Sequence, residues 1–333
     1  MKTNTIVISL LLSLTSLAGH AQEQPSFAAL EAMDRECSTF LGGMPANRQH
    51  EQAVAIRQAM AGHPAALRNI RQGRNTPPQL PAAVQAAYVR PDLCLFSPRT
   101  CSLRPRPLLL YLHGGGWTFG SINSCAKFCA ELAIRGNCCV AALDYRLAPE
   151  HPNPAALDDC RRALAYIHRH AEEWNCDTTR ISIGGDSAGG NLAIAAAMED
   201  RRLYGLLPIY PVTKLYAVPS PSWEKYGKGF GNDTELLLTF YDAYTSSHVQ
   251  DSSVSVGDAP DSLLLNLPRT LVISAGRDIL LDQGTAFVQR LHQIGLSHAS
   301  QVVFPTATHL FITVPGQPTA FEEAVKLAAA FIQ

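Results

Sequence analysis

Charge is scarce in this sequence. Asp, Glu, Lys and Arg make up 17% of the 333 residues and nearly cancel, leaving a formal net charge of −1. No block of like charge stands out, so the electrostatic footprint expected of a nucleic-acid or anionic-lipid binder is missing. Internal repeats and low-complexity linkers are missing too, which argues against solenoids and strings of small modules. No Cys/His set has zinc spacing, and no glycine loop continues into Gly-Lys-Ser/Thr, so the residues call for neither a metal nor another cofactor. Apolar residues are not scarce. At 47% they suffice for one large domain, or one domain with a small appendage. The expected partner is a small neutral molecule.

The first residues carry a short apolar run broken only by serines and a threonine. Lys2 precedes the run Ile6 to Leu17, and the small residues Gly19 and Ala21 flank His20. Positive residue, apolar stretch and small-residue site in that order predict a leader over 1–21, cleaved after Ala21. The run is too short for a permanent membrane anchor. Leu17-Ala18-Gly19 resembles a lipoprotein box, but His20 stands where the lipidated cysteine would be. The expectation is an exported protein, periplasmic or secreted, without a lipid anchor. Export permits disulfides. Nine cysteines cannot all pair within one chain. Cys94 and Cys101, flanking a proline-containing turn between extended segments, form the expected local bridge. Cys125 and Cys129, one helical turn apart, read as core packing.

From Pro25 to Arg74 apolar residues recur on one helical face with charges opposite, predicting a helical cap over 22–81 that ends in NTPPQLP. The catalytic domain is expected over 82–333. LLLYLHGGGW, CCVAALDYRL, RISIGGDSAGG, GLLPIYPV, TLVISAG and QVVFPTA read as strands, and helical stretches separate most of them. This alternation predicts an α/β fold with a mostly parallel sheet covered on both faces. Residues 213–266 break the rhythm and are expected to form a lid insertion.

Gly185-Asp186-Ser187-Ala188-Gly189 is a G-x-S-x-G between a strand and a helix. That placement lifts a serine hydroxyl out of a sharp turn, and the helix start offers amides to developing negative charge. His113-Gly114-Gly115-Gly116-Trp117 ends an earlier strand, where successive glycines let backbone N–H groups converge with that of Ala188 as an oxyanion hole. His113 is read as structural, its ring holding the glycine loop. A serine needs a base, and the base an orienting carboxylate. Among His248, His292, His298 and His309, the histidines after Ser187, only His309 follows a strand at the carboxyl end of the sheet. Asp278 lies just past a strand tip, whereas Asp282 falls where it would cap the next helix. The resulting triad is Ser187, Asp278 and His309.

HGGGW together with GDSAGG and DYRLAPEHPNPAALDD resembles the bacterial hormone-sensitive-lipase family of carboxylesterases, with acetyl esterases the nearest likeness. The likeness runs from Leu108 to the C-terminus. It implies the α/β-hydrolase fold with a helical cap and the same triad. It also implies oxyanion donors at Gly115, Gly116 and Ala188, with Gly114 completing the loop. The implied reaction is hydrolysis of short acyl esters; the expected export, rather than the resemblance, adds acetylated carbohydrate to the expected substrates. Two departures fall on the pocket wall. Arg277-Asp278-Ile279 stands where the family usually has Asp-Pro before the acid's leucine, and His309-Leu310-Phe311 where it usually has His-Gly-Phe. Plant gibberellin receptors resemble the same family but lack the catalytic histidine, which is present here as His309.

Overall fold

The computed structural model describes residues 25–216, 220–245 and 251–333. The expected leader, 1–21, and His248 lie outside the described residues. Eight strands form one sheet: β1 Val84–Arg90, β2 Leu93–Pro98, β3 Arg106–Leu112, β4 Cys139–Leu143, β5 Cys176–Asp186, β6 Gly205–Ile209, β7 Arg269–Arg277 and β8 Ala299–Thr308. Their order is β1-β2-β4-β3-β5-β6-β7-β8, with β2 antiparallel to both its neighbours, β1 and β4, and the other pairings parallel.

The inner parallel strands are apolar on both faces, as burial on both sides requires, and β8 closes the far edge. In β3, Leu108, Leu110 and Leu112 point into one apolar cluster and Leu109 and Tyr111 into another on the opposite side. The described residues form eleven α-helices: α1 Phe27–Gly42, α2 Arg48–Met60, α3 Ala65–Arg74, α4 Ile122–Arg135, α5 Ala155–His170, α6 Ala188–Ala197, α7 Pro221–Tyr226, α8 Thr234–Thr245, α9 Asp261–Leu264, α10 Leu281–Gln293 and α11 Pro318–Ile332. Helices α1, α4 and α11 cover one face, and α5, α6 and α10 the other. Helix α6 is buried along its whole length, and its sequence AGGNLAIAAA has the small residues that let it lie against β5 and β6. No described helix is long and apolar enough to cross a membrane.

The three N-terminal helices separate. Helix α1 packs on β8 and α11, with Asp34 paired to Arg277. Helices α2 and α3 pack together, and α2 lies against α8 from the 213–266 segment, so these three roof the carboxyl ends of the strands. Arg57 on α2 meets Glu235 and Thr239 of α8.

Two expectations are corrected. All nine cysteines are free, so no Cys94–Cys101 bridge forms. Cys94 is buried in β2 opposite Ala142, while the strand runs on to Pro98 and leaves Cys101 exposed beyond it. Four residues of strand already advance about 13 Å, whereas a disulfide needs its Cα atoms within ~7 Å. Asp282 is not a cap: Leu280 occupies that position on α10. Its Oδ2 accepts from the Ser222 N–H (2.8 Å) and its own N–H donates to Ser222 Oγ (3.2 Å), tying α7 to α10.

Candidate active site

The parallel strands end in a row, and four of their carboxyl ends carry the site. The glycine loop follows β3, Ser187 follows β5, Asp278 follows β7 and His309 follows β8. Ser187 adopts φ 55°, ψ −117°, a region that costs a non-glycine residue of order 1–3 kcal/mol. Close packing imposes it. A methyl group at Gly185 or Gly189 would overlap the Leu112 carbonyl, so both glycines are required for the turn to sit against β3. The Ser187 N–H donates to the Ile209 carbonyl (2.9 Å). Asn191 Nδ2 donates to the carbonyls of Val212 (2.9 Å) and Val254 (2.6 Å), fixing the helix start to the lid segment.

His309 and Asp278 are 2% and 1% exposed, and 2.7 Å separates His309 Nδ1 from Asp278 Oδ2. The second oxygen of Asp278 accepts from the Leu280 N–H (3.1 Å). Gln317, also buried, accepts from the Thr308 N–H (2.9 Å) and donates to the His309 carbonyl (3.2 Å). The Tyr210 ring lies 4.3 Å from the imidazole. Of the other histidines after Ser187, His292 and His298 do not line the cavity that holds Ser187 and His309.

Gly115 and Gly116 have φ of 117° and 60°, backbone that glycine adopts freely. Among the described residues, the amides of Gly115, Gly116 and Ala188 have no hydrogen-bond acceptor. Gly114 differs: its N–H donates to Asp186 Oδ1 (3.0 Å), which also accepts from Tyr111 Oη (3.0 Å). Gly114 therefore anchors the loop, and Gly115, Gly116 and Ala188 are left to offer donors. Burial pushes the Asp186 carboxyl up to about 6, against the opposing pull of Tyr111, Gly114 and His309. His113 donates from Nδ1 to the Gly114 carbonyl (2.9 Å) and stacks on Tyr145, and burial lowers its pKa.

These groups open into one cavity of about 760 Å³. Phe240 of α8 covers Gly116 and meets Phe119 edge-on at 5.8 Å. The floor carries the candidate nucleophile and His309, and the wall is largely apolar, with Leu236, Phe240, Phe311 and Ile312.

The family model for the α/β-hydrolase fold matches residues 109–313, more than half of the chain. The chain belongs to this family. A carboxylic ester hydrolase of Mycobacterium tuberculosis, LipN, is 35% identical over 57% of this chain and 53% of its own length. An ethyl acetate hydrolase of Pseudomonas putida is 34% identical over 61% of this chain and 65% of its own length. The match thus spans between half and two thirds of these curated relatives. A solved ester hydrolase from the metagenome of Lake Arreo, bound to a bipyridine phosphonate derivative, superposes with a TM-score of 0.69 at 28% identity. That superposition covers 92% of this chain and 99% of the other.

Within this α/β-hydrolase fold, the His-Leu-Phe departure has a structural consequence. Leu310 has φ 76°, where glycine would be unstrained, and it lines the cavity. The sequence reading missed Asp186, Gln317 and Phe240. Asp186 was the variable position of a motif, Gln317 lay in an unassigned loop, and Phe240 was one aromatic among several in the lid.

Proposed function

We propose that the protein is a serine carboxylesterase acting on short-chain acyl esters, with Ser187, His309 and Asp278 as its triad. The observation that carries this reading is the buried His309–Asp278 hydrogen bond in the cavity that holds Ser187 and the free loop amides. Ser187 Oγ attacks the ester carbonyl while His309 Nε2 takes its proton, and Asp278 holds the ring by Nδ1–H. The amides of Gly115, Gly116 and Ala188 receive the oxyanion, each such donor contributing about 3–4 kcal/mol. His309 returns the proton to the departing alcohol, and water then cleaves the acyl-enzyme by the same route. The names of the relatives, an ethyl acetate hydrolase among them, support ester hydrolysis.

A cavity of about 760 Å³ far exceeds an acetyl group. In this reading the acyl part is small and the surplus takes the alcohol part, such as the sugar of an acetylated carbohydrate. The same volume and its apolar wall favour a second reading, a lipase-like esterase for longer acyl chains. In this reading the mature enzyme, without the leader expected over 1–21, works outside the cytoplasm. A panel of p-nitrophenyl esters, each below its solubility limit, separates the readings. Short-chain specificity gives kcat/KM highest from acetyl to butyryl and nearly none at decanoyl. A rise through octanoyl favours the lipase-like reading, and no hydrolysis at any length refutes both.

A further inference from the structure

The cap helices carry arginines of two kinds. Arg57 on α2 is paired with Glu235, and Arg71 on α3 makes two hydrogen bonds to Glu150, at 2.8 and 2.9 Å. Arg48 on α2 and Arg74 at the end of α3 line the cavity instead, and among the described residues neither has a carboxylate or a hydrogen-bond acceptor. Each is half-buried. Their charges repel: burial first, and then the charge on Arg48, together lower Arg74 to about 10. Both remain protonated at neutral pH.

Two like charges facing one cavity without a counter-ion are costly unless something else supplies the negative charge. The cavity's own carboxylates do not. Asp186, Glu131 and Glu322 line it, but none is paired with either arginine among the described residues: Asp186 accepts from the Gly114 N–H and Tyr111 Oη, Arg135 lies 3.9 Å from Glu131 on α4, and Glu322 stands on α11. Beside the arginines, the Gln52 side chain is buried at the cavity wall without a hydrogen-bond partner among the described residues. Gln49 spends its amide nitrogen on the Gly231 carbonyl (2.5 Å), and its Oε1 is buried and unpaired. This corner connects to the site of chemistry through packing. The Arg74 guanidinium lies 4.5 Å over the Phe119 ring, Phe119 meets Phe240, and Phe240 covers Gly116.

We propose that Arg48 and Arg74, with Gln52, bind an anionic group, a carboxylate above all, carried on the alcohol part of the ester substrate. The proposal rests on the esterase reading. It assigns the anion to the alcohol because the acyl part in that reading is too short to reach two rings beyond the oxyanion loop. Guanidinium pairs suit this role through their fork of donors.

The test compares 4-acetoxybenzoate with its neutral methyl ester in the full-length enzyme. Wild type should hydrolyse the anion with the higher kcat/KM, through a lower KM that rises with salt while that of the methyl ester stays flat. In Arg48→Gln and Arg74→Gln the anion-to-neutral ratio should fall about tenfold each, the size of a lost charge-assisted hydrogen bond. Because the measure is a ratio within one preparation, it is independent of the fraction of folded enzyme. The salt dependence in wild type stands even if a variant fails to fold. Equal ratios in wild type and both variants, with no salt effect, would overturn the proposal. A preference seen only when the charge is on the acyl side, with p-nitrophenyl hemisuccinate against p-nitrophenyl butyrate, would also overturn it. If neither acetoxybenzoate is hydrolysed and p-nitrophenyl acetate is also inert, the esterase reading itself has failed.

Discussion

The imidazole of His309 and the carboxylate of Asp278 meet at 2.7 Å in a setting almost closed to water, although 31 residues separate them in sequence. Strands β7 and β8 are paired in parallel, with Arg277 opposite Thr308, so the residues that follow each strand emerge side by side. The sheet register creates the pair.

Asp278 and Asp282 therefore separate cleanly. Asp278→Asn leaves the ring without its anion, and kcat should fall by about 10⁴. Asp282→Asn weakens the link between α7 and α10, at about 1 kcal/mol of stability. Kinetics and thermal melts of the two variants test this. The larger kinetic loss at Asp282 would move the triad.

Gly116 and Phe240 should be coupled. A methyl group at Gly116 would overlap the Phe240 ring, so Gly116→Ala should displace the loop and lower kcat/KM by about 10²-fold. Phe240→Ala opens space, and the double variant should recover part of the loss. A double-mutant cycle measures the coupling. Strictly additive losses would mean that the ring does not position the loop.

Asp186 gives the stability curve a pH signature. Its carboxyl is raised from 3.8 to about 6 in the fold, so its contribution is complete below pH 3.8 and is lost as pH rises through about 6. The loss approaches ~3 kcal/mol by pH 7. Asp186→Asn does not titrate, so its melting temperature should gain on the wild type between pH 4 and 7. A difference independent of pH would show that the carboxyl is not held protonated.

Legibility in the sequence followed the range of the forces involved. LLLYL and RISIGG announce buried strands because both faces are apolar, and the candidate site residues follow such strands directly. Strand β1 gave no such signal: VQAAYVR is an edge strand largely open to solvent, and its pairing with β2 sets it in place. The Gly114–Asp186 bond joins residues 72 apart, a contact that only the assembled sheet creates. Arg48 and Arg74 read as charges on solvated helix faces. Packing of α2 and α3 against each other and of α2 against α8 turned them toward the cavity instead.

Covalent trapping of the nucleophile tests the central claim most directly. A p-nitrophenyl phosphonate ester should phosphonylate the enzyme once, at Ser187, releasing one equivalent of p-nitrophenol as hydrolysis of p-nitrophenyl acetate is lost. Peptide mass mapping should place the adduct on Ser187. Ser187→Ala should take no label and keep less than about 1% of the wild-type kcat. An adduct on another residue, or a Ser187→Ala variant that still turns over the ester above that level, would contradict the account.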